Sequence, residues 1–152
     1  MRIAIGADVN GYDLKEHVKA HLKEAGHEVI DFGVESNQDI DYPDVGEPVA
    51  RAVAAGEVER AVLICGTGLG MAIVANKVRG VRAAPVTDPY SAERAIRSND
   101  AKVLCLGGLV TGRNVAPLLV DHWLSGEFAG GNSGRKVAMI DDLDRREAAP
   151  EG

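Results

Sequence analysis

The run Arg60–Cys65, RAVLIC, is apolar at every position but its first. Such a run lacks the alternation of a strand with one wet face. It fits a strand covered on both sides, as in a parallel sheet between two layers of helices. The rest of the chain supplies the partners. Arg2–Ile5, Glu28–Phe32, Val81–Val86 and Val103–Leu106 read as four further strands, and helical stretches fall over about Tyr12–Ala25, Asp44–Ala55, Met71–Lys77, Pro89–Arg97 and Val115–Leu124. In the first of these, Leu14, Val18 and Leu22 recur every four residues until Gly26 ends the pattern. Asp88 is placed to cap the Pro89 helix. Glycines from Gly130 onward break the tail. The charged segment over about 134–147 then offers a last helix from Met139 to Glu147, and 148–152 is expected to fray. Alternating strands and helices predict an α/β fold: one doubly wound, Rossmann-like domain with a five-stranded parallel sheet and helices on both faces. A length of 152 residues suits one such domain.

Charge and cysteine usage narrow the function classes. With 17 basic against 23 acidic residues the net charge is −6, which argues against nucleic acid or an anionic membrane as main partner. No apolar stretch approaches the roughly 20 residues of a membrane span. The segment MRIAIGADVNG holds one basic residue and a four-residue apolar run, unlike a signal peptide. A soluble, cytoplasmic protein is expected. Cys65 and Cys105 lie inside apolar runs with no CxxC pattern, which disfavours a disulfide framework or structural zinc. His17 and His21 stand four apart, as paired metal ligands can, but on a helix rich in Lys and Glu they read as a solvated face. His27 and His122 have no nearby ligand partners, so no metal is expected.

In open parallel sheets ligands bind at the carboxyl ends of the strands. Here glycine follows four of the five: Gly6, Gly33, Gly66 and Gly107. The strongest signal is Ile64-Cys65-Gly66-Thr67-Gly68-Leu69-Gly70. A glycine turn opening a helix presents backbone N–H groups to an anion, either a phosphate or an oxyanion that develops during reaction. It lacks the GK[ST] ending of a P-loop, and a dinucleotide fingerprint belongs after the first strand, so ATP and NAD are disfavoured. Cys65 at the lip of this loop is either a base or nucleophile, or simply the last apolar residue of its strand. Cys105 reads as core. Asp8 either faces the same crevice or caps the Tyr12 helix. Asn99 is equally a helix C-cap by composition.

Taken in order, Gly6-Ala7-Asp8, Asp41-Tyr42-Pro43-Asp44, the CGTGLG loop, Ala75-Asn76-Lys77, Pro89-Tyr90-Ser91-Ala92 and Ser98-Asn99-Asp100 resemble the ribose-5-phosphate isomerase B family, which includes the galactose-6-phosphate isomerase subunits. The likeness runs from Met1 to about Lys136. It implies an aldose–ketose isomerase that works through a cis-enediolate without metal or cofactor. Cys65 matches the family's general base; the glutamate that serves some members just after the loop is here Met71. Thr67 and the amides of Gly66, Gly68 and Gly70 match the groups that hold the enediolate. Asp8 matches an acid on the substrate hydroxyls, Asn99 a group that steadies the oxyanion, and Tyr42 a residue lining the pocket. The resemblance also implies a homodimer or tetramer whose sites lie at the subunit interface, with the segment of Ser98 and Asn99 crossing between subunits.

The departures bear on substrate. Val9 stands where the family has a histidine, Leu109 where it has an arginine, and Asn132 and Lys136 where it has C-terminal arginines. Several of these positions bind phosphate in the family; Lys136 keeps its charge, with Arg135 and Arg113 as substitutes. Ser98 replaces the histidine that opens the sugar ring. A tetrose 4-phosphate cannot close a furanose ring, because its terminal oxygen carries the phosphate, and needs no such group. The expected substrate is therefore D-erythrulose 4-phosphate, in equilibrium with D-erythrose 4-phosphate. Ribose 5-phosphate, an unphosphorylated or unusual sugar, and a non-catalytic sugar-binding subunit are the alternatives.

Overall fold

The structure, a computed structural model, describes residues 1–36 and 38–148. Five parallel strands, β1 (Arg2–Ala7), β2 (Glu28–Asp31), β3 (Arg60–Cys65), β4 (Ala83–Pro85) and β5 (Val103–Gly107), pair in the order β2-β1-β3-β5-β4. Six helices accompany them: α1 (Tyr12–Glu24), α2 (Tyr42–Ala54), α3 (Leu69–Asn76), α4 (Pro89–Arg97), α5 (Ala116–Leu124) and α6 (Gly131–Glu147). The α/β class and five-stranded parallel sheet are as expected, and β3 and α4 keep their predicted bounds. All six residues of β3 are buried.

The alternation of side chains across each strand sorts the core into two layers. Ile3, Ile5, Val62, Ile64, Leu104 and Leu106 pack with α1, α4 and α5, around Trp123. Ala4, Ala61, Leu63, Cys65, Val103 and Cys105 pack with α2 and α3 on the other face. Arg60 sits at the foot of β3, donating to the carbonyls of Trp123 and Gly126 at 2.7 Å each. Burial pushes its guanidinium below the usual arginine range.

Three expectations need correction. The last helix begins at Gly131, not Met139, and Gly134 lies inside it; the break is confined to Gly130 and Gly131, both at positive φ. Strand four is only Ala83–Pro85. The α1 face is not simply solvated: Lys15 is 1% exposed. Its Nζ donates to both oxygens of Asp31 at 2.9 Å and to the Val34 carbonyl at 3.0 Å. His17 and His21 separate into single pairs, with Arg113 Nε at 3.2 Å and Asp121 Oδ1 at 2.6 Å. The fraying expected of 148–152 falls, beyond Ala148, outside the described residues.

The Lys15 cluster predicts an acid limit. Burial acts to raise the Asp31 carboxyl, but hydrogen bonds from Lys19, Lys15 and the Gly33 N–H outweigh it and hold the group below the usual range. Glu16 is held down by the same lysines against its own burial. Depressed carboxylates contribute stability that is present above their unfolded pKa, about 4, and lost as pH falls through the folded values. Urea midpoints should therefore fall on acidification below about pH 4. Asp31→Asn should flatten that dependence while lowering stability at pH 7, because it leaves the buried Lys15 with only Glu16, at 3.2 Å, as counter-charge. An unchanged acid slope in Asp31→Asn would refute this assignment.

Candidate active site

The carboxyl ends of β1, β3 and β5 meet at one point, and glycine makes the meeting possible. Gly108 N–H donates to the Cys65 carbonyl at 2.8 Å and Leu109 N–H to the Gly66 carbonyl at 3.0 Å, tying the β5 loop to the β3 loop. Asp8 N–H reaches the Ile64 carbonyl at 3.2 Å, bringing the β1 loop alongside. A Cβ on Gly108 would lie 2.3 Å from the Asn10 carbonyl oxygen, and one on Gly107 2.7 Å from Thr67 Cα. Three loops thus pack backbone on backbone around Cys65.

Cys65 ends β3 facing α2 and α3, 3% exposed, and its sulfur accepts the Gly68 N–H at 3.2 Å. Gly68 adopts φ +81, the left-handed turn that starts α3 and aims this amide back at the sulfur. A loop in which all the amides face an incoming oxyanion is therefore not what forms, since the Gly68 amide is committed to Cys65. Leu69 N–H is taken by Thr67 Oγ1 at 3.3 Å. The amides of Gly66, Thr67 and Gly70 have no hydrogen-bond partner among the described residues. They stand beside the sulfur as donors, at the N-terminal end of α3 where negative charge is favoured.

Asp8 is 7% exposed. Its Oδ1 accepts the N–H groups of Asn10 and Gly11 at 3.0 and 3.1 Å, shaping the turn into α1, while Oδ2 has no partner among the described residues. Asp8 does not cap α1, whose N-cap is Gly11 with no side-chain cap bond; one oxygen shapes the preceding turn and the other lies at the loop cluster. Tyr42 opens α2 and lays its ring against Gly70, where a Cβ would stand 2.6 Å from Tyr42 Cζ. Arg113 follows β5 at the same end, its Nε turned to His17. Cys105 lies one layer below, and burial raises its thiol far above the ordinary range, which fits a core role.

The remaining sequence candidates lie elsewhere. Ser98 caps α4 and Asn99 precedes β5, whereas Cys65 is level with Gly107 at that strand's far end. The five residues of β5, at about 3.3 Å each, put roughly 16 Å of sheet between the two. The left-handed capping position belongs to Asp100, φ 47, rather than to Asn99. Asp100 is held by Arg82 at 2.9 Å, and the Asn99 side chain is exposed without a partner among the described residues. Arg135, Lys136 and Asn132 are exposed on α6. That helix is tied down by Asp141 on Arg82 at 2.6 Å and Asp144 on the Gly80 N–H at 2.7 Å.

The profile of the family described as Ribose/Galactose Isomerase matches residues 3–140. The chain belongs to that family. As a ribose/galactose isomerase it is an aldose–ketose isomerase, and its relatives span its length. It is 47% identical to the ribose-5-P isomerase B of Listeria innocua over 96% of this chain and 99% of that one. It is 43% identical to the D-erythrulose-4-phosphate isomerase of Pectobacterium atrosepticum over 97% of each. The solved ribose-5-phosphate isomerase B of Clostridium thermocellum superposes with a TM-score of 0.95 at 47% identity, covering 97% of this chain and all of that one. The full-length relatives of this ribose/galactose isomerase are thus named for two different substrates.

Sequence reasoning missed Asn10, whose carbonyl abuts Gly108; Leu109, noted there only as a departure, brings its Cδ1 close to Gly66. The glycines at 107 and 108 were the signal that another backbone comes close there.

Proposed function

We propose that the chain interconverts D-erythrulose 4-phosphate and D-erythrose 4-phosphate, with Cys65 moving the proton between C1 and C2 through a cis-enediolate. The observation that carries the substrate is Ser98. A hydroxyl with no acid–base capacity near neutral pH stands where a cyclic aldose phosphate needs its ring opened, and the tetrose phosphate is open-chain. The Pectobacterium relative supports the same reading. The sulfur takes the C1 proton of the ketose and returns it to C2. Meanwhile the amides of Gly66, Thr67 and Gly70 and the Thr67 hydroxyl receive the oxyanion, and Asp8 Oδ2 accepts from a substrate hydroxyl. A base and preorganised donors are the two things that proton abstraction beside a carbonyl requires.

Completing this centre takes a second copy of the chain. Asn99 cannot reach Cys65 of its own chain across the sheet, but its free side chain can enter the site of a neighbour. The end of the molecule that holds Cys65 supports this pairing with exposed apolar side chains: Val9, Leu69, Ile73, Leu109 and Val110. A groove of ≈ 560 Å³ runs along α3 beside Leu69, Ile73 and Pro85. Arg113, Arg135 and Lys136 are the cations assigned to the phosphate on the basis of the family resemblance. The second reading, ribose 5-phosphate, is favoured by the Listeria and Clostridium relatives.

Proton NMR in D₂O separates the two. With D-erythrulose 4-phosphate, deuterium should enter C1 and the tetrose phosphate should form; with D-ribose 5-phosphate, exchange should be much slower. Ser98→His should then raise kcat with ribose 5-phosphate by about 10²-fold, the lower end of what a positioned acid–base group supplies. Comparable wild-type rates with both sugars would overturn the substrate assignment.

A further inference from the structure

Opposite its buried face of Ala92, Ala95 and Ile96, helix α4 carries Tyr90, Arg94 and Ser98 at successive four-residue steps. The three are joined. The Arg94 guanidinium lies 5.8 Å from the centre of the Tyr90 ring, and its Nη1 points to Ser98 Oγ at 3.5 Å. Nη2 is held by Glu93 Oε1 at 2.7 Å. Nε is buried and has no partner among the described residues. A buried guanidinium N–H without an acceptor is uncommon, because the lost hydration is uncompensated. The group is thus fixed by a ring and a carboxylate, with the Nη1 edge that faces the hydroxyl left over. Two other arginines near the end of α4 are already engaged. Arg82 is bound to Asp100, Asp141 and the Asn99 carbonyl, and Arg60 to two carbonyls.

We propose that Arg94 and Ser98 join Arg113, Arg135 and Lys136 in recognising the terminal tetrahedral oxyanion, a phosphate ester or a sulfonate, of the four-carbon substrate bound at the Cys65 site of the paired subunit. This rests on the reading that Ser98 and Asn99 complete a neighbour's site. The short serine leaves room beside it, and the guanidinium one turn earlier reaches along the helix into that room. Nη1 and the Ser98 hydroxyl donate to two oxygens of the anion, while the covered Nε makes no contact with it. Because the arginine meets the non-reacting end of the substrate, it acts on binding and not on proton transfer.

The test is steady-state kinetics on Arg94→Ala and Arg94→Lys with D-erythrulose 4-phosphate, the corresponding 4-deoxy-4-sulfonate, and unphosphorylated erythrulose. Loss of one charge-assisted contact should raise KM for the matching anionic substrate by about 10- to 100-fold with kcat little changed. Erythrulose kcat/KM should be unaffected and lysine should recover part of the loss. Whichever anion suffers the larger loss is the native terminus. An unchanged KM, or an equal loss with erythrulose, would overturn the proposal. If wild type turns over none of these, the functional reading fails separately. Calorimetric binding of inorganic phosphate and of methanesulfonate to wild type against Arg94→Ala then decides the anion site: a tenfold weakening upholds it, and equal binding or none overturns it.

Discussion

Replacing Cys65 with alanine is expected to lower kcat by about 10²- to 10⁴-fold, the range a positioned general base contributes. Binding of substrate should persist, because the amides of Gly66, Thr67 and Gly70 and the Asp8 carboxylate do not depend on the sulfur. Solvent deuterium should no longer enter the substrate, while titration calorimetry still detects the complex. The side chain is small and its only described hydrogen bond comes from the Gly68 amide, so the fold should tolerate the change. Turnover within threefold of wild type would move the base elsewhere. A wild-type protein that binds sugars but never exchanges a proton would instead mark a binding subunit.

The second large effect is structural. A methyl group on Gly108 would stand 2.3 Å from the Asn10 oxygen and 3.2 Å from Gly11 Cα. Both neighbours are backbone, so no rotamer change relieves the clash and two loops must separate. Gly108→Ala is expected to cost about 3 kcal/mol or more, the upper end for overpacking. It should also depress kcat, since the displaced loops carry Asp8 and Cys65. Gly134→Ala is the contrasting control: nothing lies within 4 Å of the added methyl. Its helical setting should make the change stabilising by about 0.5–1 kcal/mol. Urea unfolding of the two variants side by side measures both signs, and a Gly108→Ala protein as stable as wild type would contradict the loop packing.

These two glycines show where sequence reading succeeds and stops. The layer order was legible because RAVLIC has no polar face and the α1 pattern repeats every four residues. Cys65 and its loop were legible because strand-to-helix glycine turns have few structural alternatives. Glycine at 107 and 108 announced a close approach but could not name Asn10, whose carbonyl arrives from a strand two positions away in the sheet. Lys15 was illegible for a similar reason. Beside Leu14 it looks like any solvated lysine, and the carboxylate that justifies its burial comes 16 residues later, from β2. The start of α6 was misread because glycine counts against a helix locally. There the contacts of Asp141 and Asp144 near its far end hold the helix in place.

Ser98 and Asn99 at one end of the sheet and Cys65 at the other also bear on how genes for such chains can diverge. After a duplication, one copy could lose its thiol while the other lost the end of α4. On the pairing proposed above, the mixed pair would still hold one intact centre, though each product alone would hold none. Neither loss would be exposed to selection while the two were made together, and afterwards neither copy could be discarded. A chain built this way is predisposed to become two obligate, unlike gene products without gaining any new chemistry.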